Sequence, residues 1–175
     1  MPARQPPRLS PLPEAHWAPP ADAVRDLLGD VLNVHRVMAH HPDLLAAWAP
    51  LRRHIATGSS LSPRSRELAI LRLAHRMGVT YEWYHHVQRA LAAEVAPEEI
   101  EAVRLGPVDR WPEAESILLT AVDELHDHLT VTDSTWGALS RLFTNEQILD
   151  LFVTVGMYTT LAMIINATGV EIDPE

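Results

Sequence analysis

The sequence predicts an all-α fold, and three observations carry that expectation. Apolar residues recur at spacings of three and four along most of the chain. Pro, Ser and Gly punctuate those runs as helix starts and stops. No segment alternates with period two over the length of a strand. Ile164-Ile165 and Leu151-Phe152-Val153 are β-prone, but they sit inside an apolar block of helix length. The 175 residues, 47% of them hydrophobic, suffice for one domain with a sizeable core. A single-domain bundle of about seven or eight helices is expected over residues 21–175, behind a Pro-rich arm at 1–20.

The elements follow in order. Residues 1–20 hold seven prolines, so this arm should be extended rather than helical. Leu12 and Trp17 give it something to bury, which favours an arm lying on a neighbour over a disordered tail. Ala21 to about His40 has helical spacing through Val24, Leu27, Leu28, Val31, Leu32 and Val34. Pro42 opens a second helix with Leu44, Leu45, Trp48, Leu51 and Ile55, and Pro50 predicts a kink or break in its middle. Ser62 caps a helix that has Pro63 in its first position, runs to about Met77 and stops at Gly78. Thr80 caps the next, to about Glu94. Further helices are expected from Pro97 to Arg104, Pro112 to about His128, Asp133 to about Leu142, and Glu146 to about Asn166.

Composition removes whole classes of chemistry. The formal net charge is −9, so no basic surface is offered to phosphates and a nucleic-acid partner is not expected. There is no Cys, which removes disulfides, thiolate catalysis, a peroxidase thiol pair, iron–sulfur ligation and Cys-based zinc sites. There is no Lys either: all 14 basic residues are Arg, so Schiff-base chemistry and a P-loop lysine are excluded. No uninterrupted run of about 18 apolar residues suggests a membrane span, and the first twenty residues lack an apolar signal segment. A cytoplasmic location without a membrane partner is expected. No histidine–carboxylate cluster has metal-ligand spacing, so neither metal nor cofactor is expected.

The informative helix begins at Pro63. Its buried stripe should run through Glu67, Ile70, Leu71, Ala74 and Gly78, which puts a carboxylate among apolar groups. The following stripe is Val79, Trp83, His86, Val87 and Ala90, with an imidazole in the same position of conflict. A tight turn at Gly78-Val79 makes the two helices an antiparallel hairpin. Glu67 then falls about one turn from His86, within reach for long side chains. A buried Glu beside a buried His is a proton-transfer pair. Glu67 could equally cap a helix end or bond Arg64, and His86 could be a satisfied core histidine.

The run Pro63-Arg64-Ser65-Arg66-Glu67-Leu68-Ala69-Ile70-Leu71-Arg72, followed by Tyr81-Glu82-Trp83-Tyr84-His85-His86, resembles the carboxymuconolactone decarboxylase family, which includes the alkylhydroperoxidase D-like proteins. The redox branch carries Glu-x11-Cys-x2-Cys-x3-His. Glu67 and His86 match its first and last positions, while Val79 and Glu82 stand where the two Cys would be. The chain therefore resembles a Cys-lacking branch. Residues 33–42, 146–158 and 166–170 are similar to flanking segments of the family, so that about residues 25–172 are covered. The resemblance implies an all-α bundle, a homotrimer or homohexamer, and sites near subunit contacts. It also implies cofactor-free proton transfer in place of thiol peroxidase activity.

Two functions compete on these grounds. The first is a cofactor-independent lyase or isomerase acting on a small organic acid or ketone. In it His86 and Glu67 are catalytic, and Tyr81, Trp83, Tyr84, Tyr158 and His35 are candidate substrate contacts. The second is a non-catalytic ligand-binding or assembly protein on the same scaffold, with Trp48, Trp83 and Tyr158 lining an apolar pocket. Plain core packing is the simpler reading of each of these aromatics.

Overall fold

The computed structural model describes residues 6–107 and 110–174, and within them the chain is all-helical. The helices are α1 (Pro19–Asp22), α2 (Arg25–Leu28), α3 (Asn33–Met38), α4 (Pro42–Arg53), α5 (Pro63–Arg76), α6 (Thr80–Ala92), α7 (Pro97–Val103), α8 (Glu113–His128), α9 (Asp133–Leu142) and α10 (Asn145–Thr168). A 3₁₀ turn at Glu14–His16 precedes them, and a π-helical stretch at His54–Gly58 follows α4. The described residues divide into two compact units, one of 6–58 with 163–174 and one of 59–162.

In the first unit the chain departs from the expected pattern. The single helix expected from Ala21 to His40 is three short ones: the chain leaves the helix at Ala23-Val24, and Gly29, with φ of +64°, turns it between α2 and α3. The Pro-rich segment is not extended throughout: Pro19 and Pro20 occupy the first positions of α1, where a missing amide donor costs little. Residues 1–5 of the arm lie outside the described residues. The rest docks on its own unit. Leu12 N donates to Arg36 O at 3.1 Å, Trp17 Nε1 to Leu12 O at 3.1 Å, and Arg8 N to Thr168 O at 2.7 Å. Trp17 is 8% exposed, so its ring is buried within its own chain and needs no neighbour to cover it. Pro50 does not break α4, but the helix loosens into the π stretch within one turn of it.

The second unit is built around α5. Every residue from Glu67 to Ala74 is buried, so α5 carries no single apolar stripe but is covered all round, with α6, α7 and α8 against it. Gly78 lies outside this buried run, exposed at the turn with φ +65°. Leu68, Leu71, Leu118, Leu119, Val122, Leu139 and Leu151 form the heart of the core. Burying Arg72 requires full pairing. It forks onto Asp123 at 2.7 and 2.8 Å and caps the carbonyls of Val103 and Arg104 at 2.9 Å each. Ser62 Oγ accepts from Ser65 N at 3.0 Å, the expected cap of α5; Thr80 is the first residue of α6 rather than its cap. By length and composition α10 could also cross a bilayer, with a mean hydropathy of 1.9. Yet Ile148, Leu151 and Val155 belong to the core, and Asp150 accepts from Ser59 Oγ, Ser60 N and Ser60 Oγ. That is the pattern of a core helix.

Candidate functional site

The α5–α6 hairpin brings Glu67 and His86 together. The left-handed Gly78 lets the chain reverse within the three residues Met77 to Val79, so the two helices run back along each other. His86 Nδ1 lies 2.6 Å from Glu67 Oε2, with Glu67 2% and His86 1% exposed. A carboxylate only accepts, so Nδ1 carries the hydrogen. Glu67 Oε1 accepts from Arg66 Nε at 3.2 Å. Arg64, the other partner open to Glu67, is engaged by Glu99 and Glu115.

The far side of the imidazole has two partners that the sequence pattern does not reveal. Arg89 Nη1 lies 3.0 Å from His86 Nε2, and Glu82 Oε2 lies 3.3 Å from the same nitrogen. Both residues belong to α6, one turn after and one turn before His86. The i+3 and i−4 spacings were the available signal, since residues so spaced share a helix face. Tyr158 of α10 closes the site with its ring edge-on to the imidazole, at 5.1 Å between centroids.

Burial is the largest influence on His86 and works against its charged form. The hydrogen bonds to Glu67 and Glu82 and the charge of Glu67 outweigh it, and the pKa is raised above its ordinary value. Burial likewise opposes the Glu67 carboxylate. The bond to His86 and the charges of His86, Arg66 and Arg89 prevail there, and its pKa is lowered. The two shifts agree: each group favours the charged form of the other.

The remaining candidates are scattered. Tyr81 is buried with its ring 4.6 Å from that of His85, and the half-exposed Tyr84 packs edge-on to His85 at 5.3 Å. Trp83 carries the Arg104 guanidinium 3.8 Å over its ring and meets His75 edge-on. These three residues border a surface pocket of about 200 Å³ with Val79 and Thr80. His75 is lowered, first by burial and then by Arg104, Arg72 and Arg76. His35 belongs to the first unit, where Nδ1 accepts from Leu32 N at 3.0 Å and the ring leans on Trp48. Beside the Glu–His site lies a narrow apolar gap, too tight for a water-sized molecule, among Ile70, Leu73, Met77, Val79, Glu82 and Tyr158. Among the described residues no group of three or more His, Asp or Glu side chains is arranged to hold a metal ion.

Residues 42–122 match the carboxymuconolactone decarboxylase family, a segment that contains α4 to α7 and more than half of α8. No curated protein matches the chain at a significant level. Among solved structures, the alkylhydroperoxidase AhpD core of an uncharacterized peroxidase-related protein from Ralstonia eutropha JMP134 is similar, with a TM-score of 0.77 and 20% identity over 97% of this chain and 94% of that one. An uncharacterized peroxidase-related protein from Silicibacter sp. TM1040 superposes with a TM-score of 0.75 and 19% identity, over 99% and 95% of the two chains. The debrominase Bmp8, as a cysteine-to-alanine variant in complex with 2,3,4-tribromopyrrole, gives 0.78 and 19% over 94% and 91%. At these identities the likeness is one of fold. The segment 42–122 is thus similar to the carboxymuconolactone decarboxylase family, and the helical scaffold around it shares its fold with the alkylhydroperoxidase D-like structures, in a chain that contains no cysteine.

Proposed function

We propose that this protein is a cofactor-independent lyase or isomerase that moves a proton on a small organic acid or ketone. One observation carries the reading: both protonation states of His86 have a partner waiting. Neutral, its Nε2 accepts from Arg89 at 3.0 Å; protonated, it donates to Glu82 at 3.3 Å. Glu67 holds Nδ1 in either state, so the ring needs no movement to exchange its proton. A core histidine kept only for packing does not require two carboxylates and a guanidinium. Glu67 is then the positioning residue and His86 the acid–base group, with Tyr158 as the aromatic wall.

The family supports decarboxylation, isomerisation or lactone chemistry as the reaction type, and the missing thiols direct the site away from peroxide reduction. The tribromopyrrole complex of a debrominase on this scaffold supports a small, planar ligand. The test is a screen of lactones, β-keto acids and ketones with wild type and His86→Ala in parallel. Turnover should fall by about 10²–10⁴-fold in the variant, the usual contribution of general acid–base catalysis. Equal rates would leave the hairpin structural and make a non-catalytic ligand-binding role the better reading.

A further inference from the structure

The proton-transfer reading leaves the surface pocket at the α5–α6 turn unused. Its space of about 200 Å³ has an apolar lining of Ala74, Gly78 and Val79 and a polar one of His75, Thr80 and Arg104, with Trp83 beside them. Gly78 keeps that space open: a Cβ there would meet no atom within 4 Å. The charge of the lining runs against that of the chain. Asp and Glu number 23 against 14 Arg, yet the pocket presents a guanidinium and an imidazole and no carboxylate. Arg104 is also held in place. Its guanidinium lies 3.8 Å over the Trp83 ring, and Nε donates to Glu101 Oε2 at 2.9 Å. Among the described residues neither Nη group of Arg104 meets an acceptor. The other two cations near His75 are neutralised: Arg72 forks onto Asp123, and Arg76 pairs with Asp123 and Asp127. His75 registers the positive field. Burial is the first cause of its lowered pKa, followed by Arg104, Arg72 and Arg76, with Asp123 opposing.

We propose that this pocket binds the carboxylate of a small organic acid: the Nη fork of Arg104 takes the carboxylate, Thr80 Oγ1 and His75 stand as further donors, and Ala74, Gly78 and Val79 receive the apolar body. A planar fork already fixed by stacking loses little freedom when it pairs with a carboxylate. The bond to Glu101 does not meet that need, because it takes only Nε and lies at the exposed surface, where an ion pair contributes little. With its lowered pKa, His75 is neutral near pH 7 and donates from one ring nitrogen. One guanidinium matches the single charge of a carboxylate, whereas a phosphate group brings about 1.5–2 charges. The volume lies below the roughly 300–1,000 Å³ of sites for drug-sized ligands, so the apolar body is about one ring or a short chain. The pocket shares no residue with the Glu67–His86 pair or with Glu82, Arg89 and Tyr158, so the inference stands apart from proton transfer.

Benzoate, its neutral isostere benzamide and inorganic phosphate, each titrated into the full chain at pH 7, test the site by calorimetry and by NMR of the histidine rings. Benzoate should bind about 10- to 100-fold more tightly than benzamide, the range that a hydrogen bond to a charged group supplies. Saturating benzoate should raise the pKa of His75, because a carboxylate close by favours the imidazolium, and should leave His86 unmoved. Arg104→Ala should abolish the preference for benzoate, and Arg104→Lys, which keeps the charge without the fork, should retain part of it. Arg104 is exposed, so its loss leaves the core intact. Glu101→Gln removes the competing carboxylate and should tighten benzoate by a few-fold, a gain that a misfolded protein cannot give. Equal affinity for benzoate and benzamide, or a preference that survives Arg104→Ala, overturns the carboxylate site. An unmoved His75 overturns its location. Phosphate bound as tightly as benzoate overturns the organic-acid class. The readout is binding, so failure here is distinct from a failure of the His86→Ala turnover screen.

Discussion

Replacing Glu67 with Gln keeps the shape of the side chain and removes only its charge. Wild-type Glu67 Oε2 takes a 2.6 Å bond from Nδ1 of a ring that is 1% exposed, with no water to compensate for what is lost. A hydrogen bond to a charged group contributes about 1.5–3 kcal/mol. Glu67→Gln should therefore cost about 2 kcal/mol near pH 5.5, and Glu67→Ala, which also leaves an uncompensated buried partner, about 3–5 kcal/mol. The pH dependence fixes the sign. His86 has a raised pKa, so its stabilisation is complete below its ordinary 6.5 and disappears as pH climbs through the raised value. Glu67 has a lowered pKa, so its share is present above its ordinary 4.5 and disappears as pH falls through the lowered value. The pair thus stabilises most between about 4.5 and 6.5. Urea unfolding of wild type and Glu67→Gln at pH 5.5 and at pH 9 reads this directly. The gap should shrink at the higher pH, and in the variant the His86 ring, followed by nitrogen-15 NMR, should titrate lower. A gap that is the same at both pH values, together with an unmoved His86, would refute the argument that the two charges hold each other.

Three further outcomes are expected. Gly106→Ala should destabilise by about 2–4 kcal/mol in urea unfolding, because φ is +82° there and a Cβ would lie 2.6 Å from Arg72 Nη2, which cannot retreat without leaving Asp123. Peroxide consumption with any thiol reductant should stay at the buffer rate in a coupled assay, since the chain has no thiol to cycle. Light scattering should give a mass of three or six chains, with Leu149, Val153 and Trp136, 62%, 39% and 48% exposed on α9 and α10, as apolar groups a second copy would cover. A mass of one chain at micromolar concentration would remove the homo-oligomer, whose case no longer includes Trp17.

The helical class, the hairpin and the pairing of Glu67 with His86 were legible in the sequence, because each depends on local rules. Periodicity sets which residues share a face, Ser62-Pro63 and Gly78 set where α5 begins and ends, and a short turn fixes the register between α5 and α6. Arg89 and Glu82 were not legible as partners of His86. Helical spacing places four residues within one turn of His86, and only the crossing of α6 over α5 and the position of Tyr158 determine which of them reach Nε2. The same holds for α5, whose Arg72 is buried because α7 and α8 close over it, with Asp123 and the carbonyls of Val103 and Arg104 as its partners. In the first unit the sequence carried the signal, a Gly at position 29, but propensity cannot say whether a lone Gly bends a helix or rides within it. Local spacing determines which groups are available to meet. Packing against the other helices determines which ones do, because burial decides which polar groups must find a partner and which can stay in water.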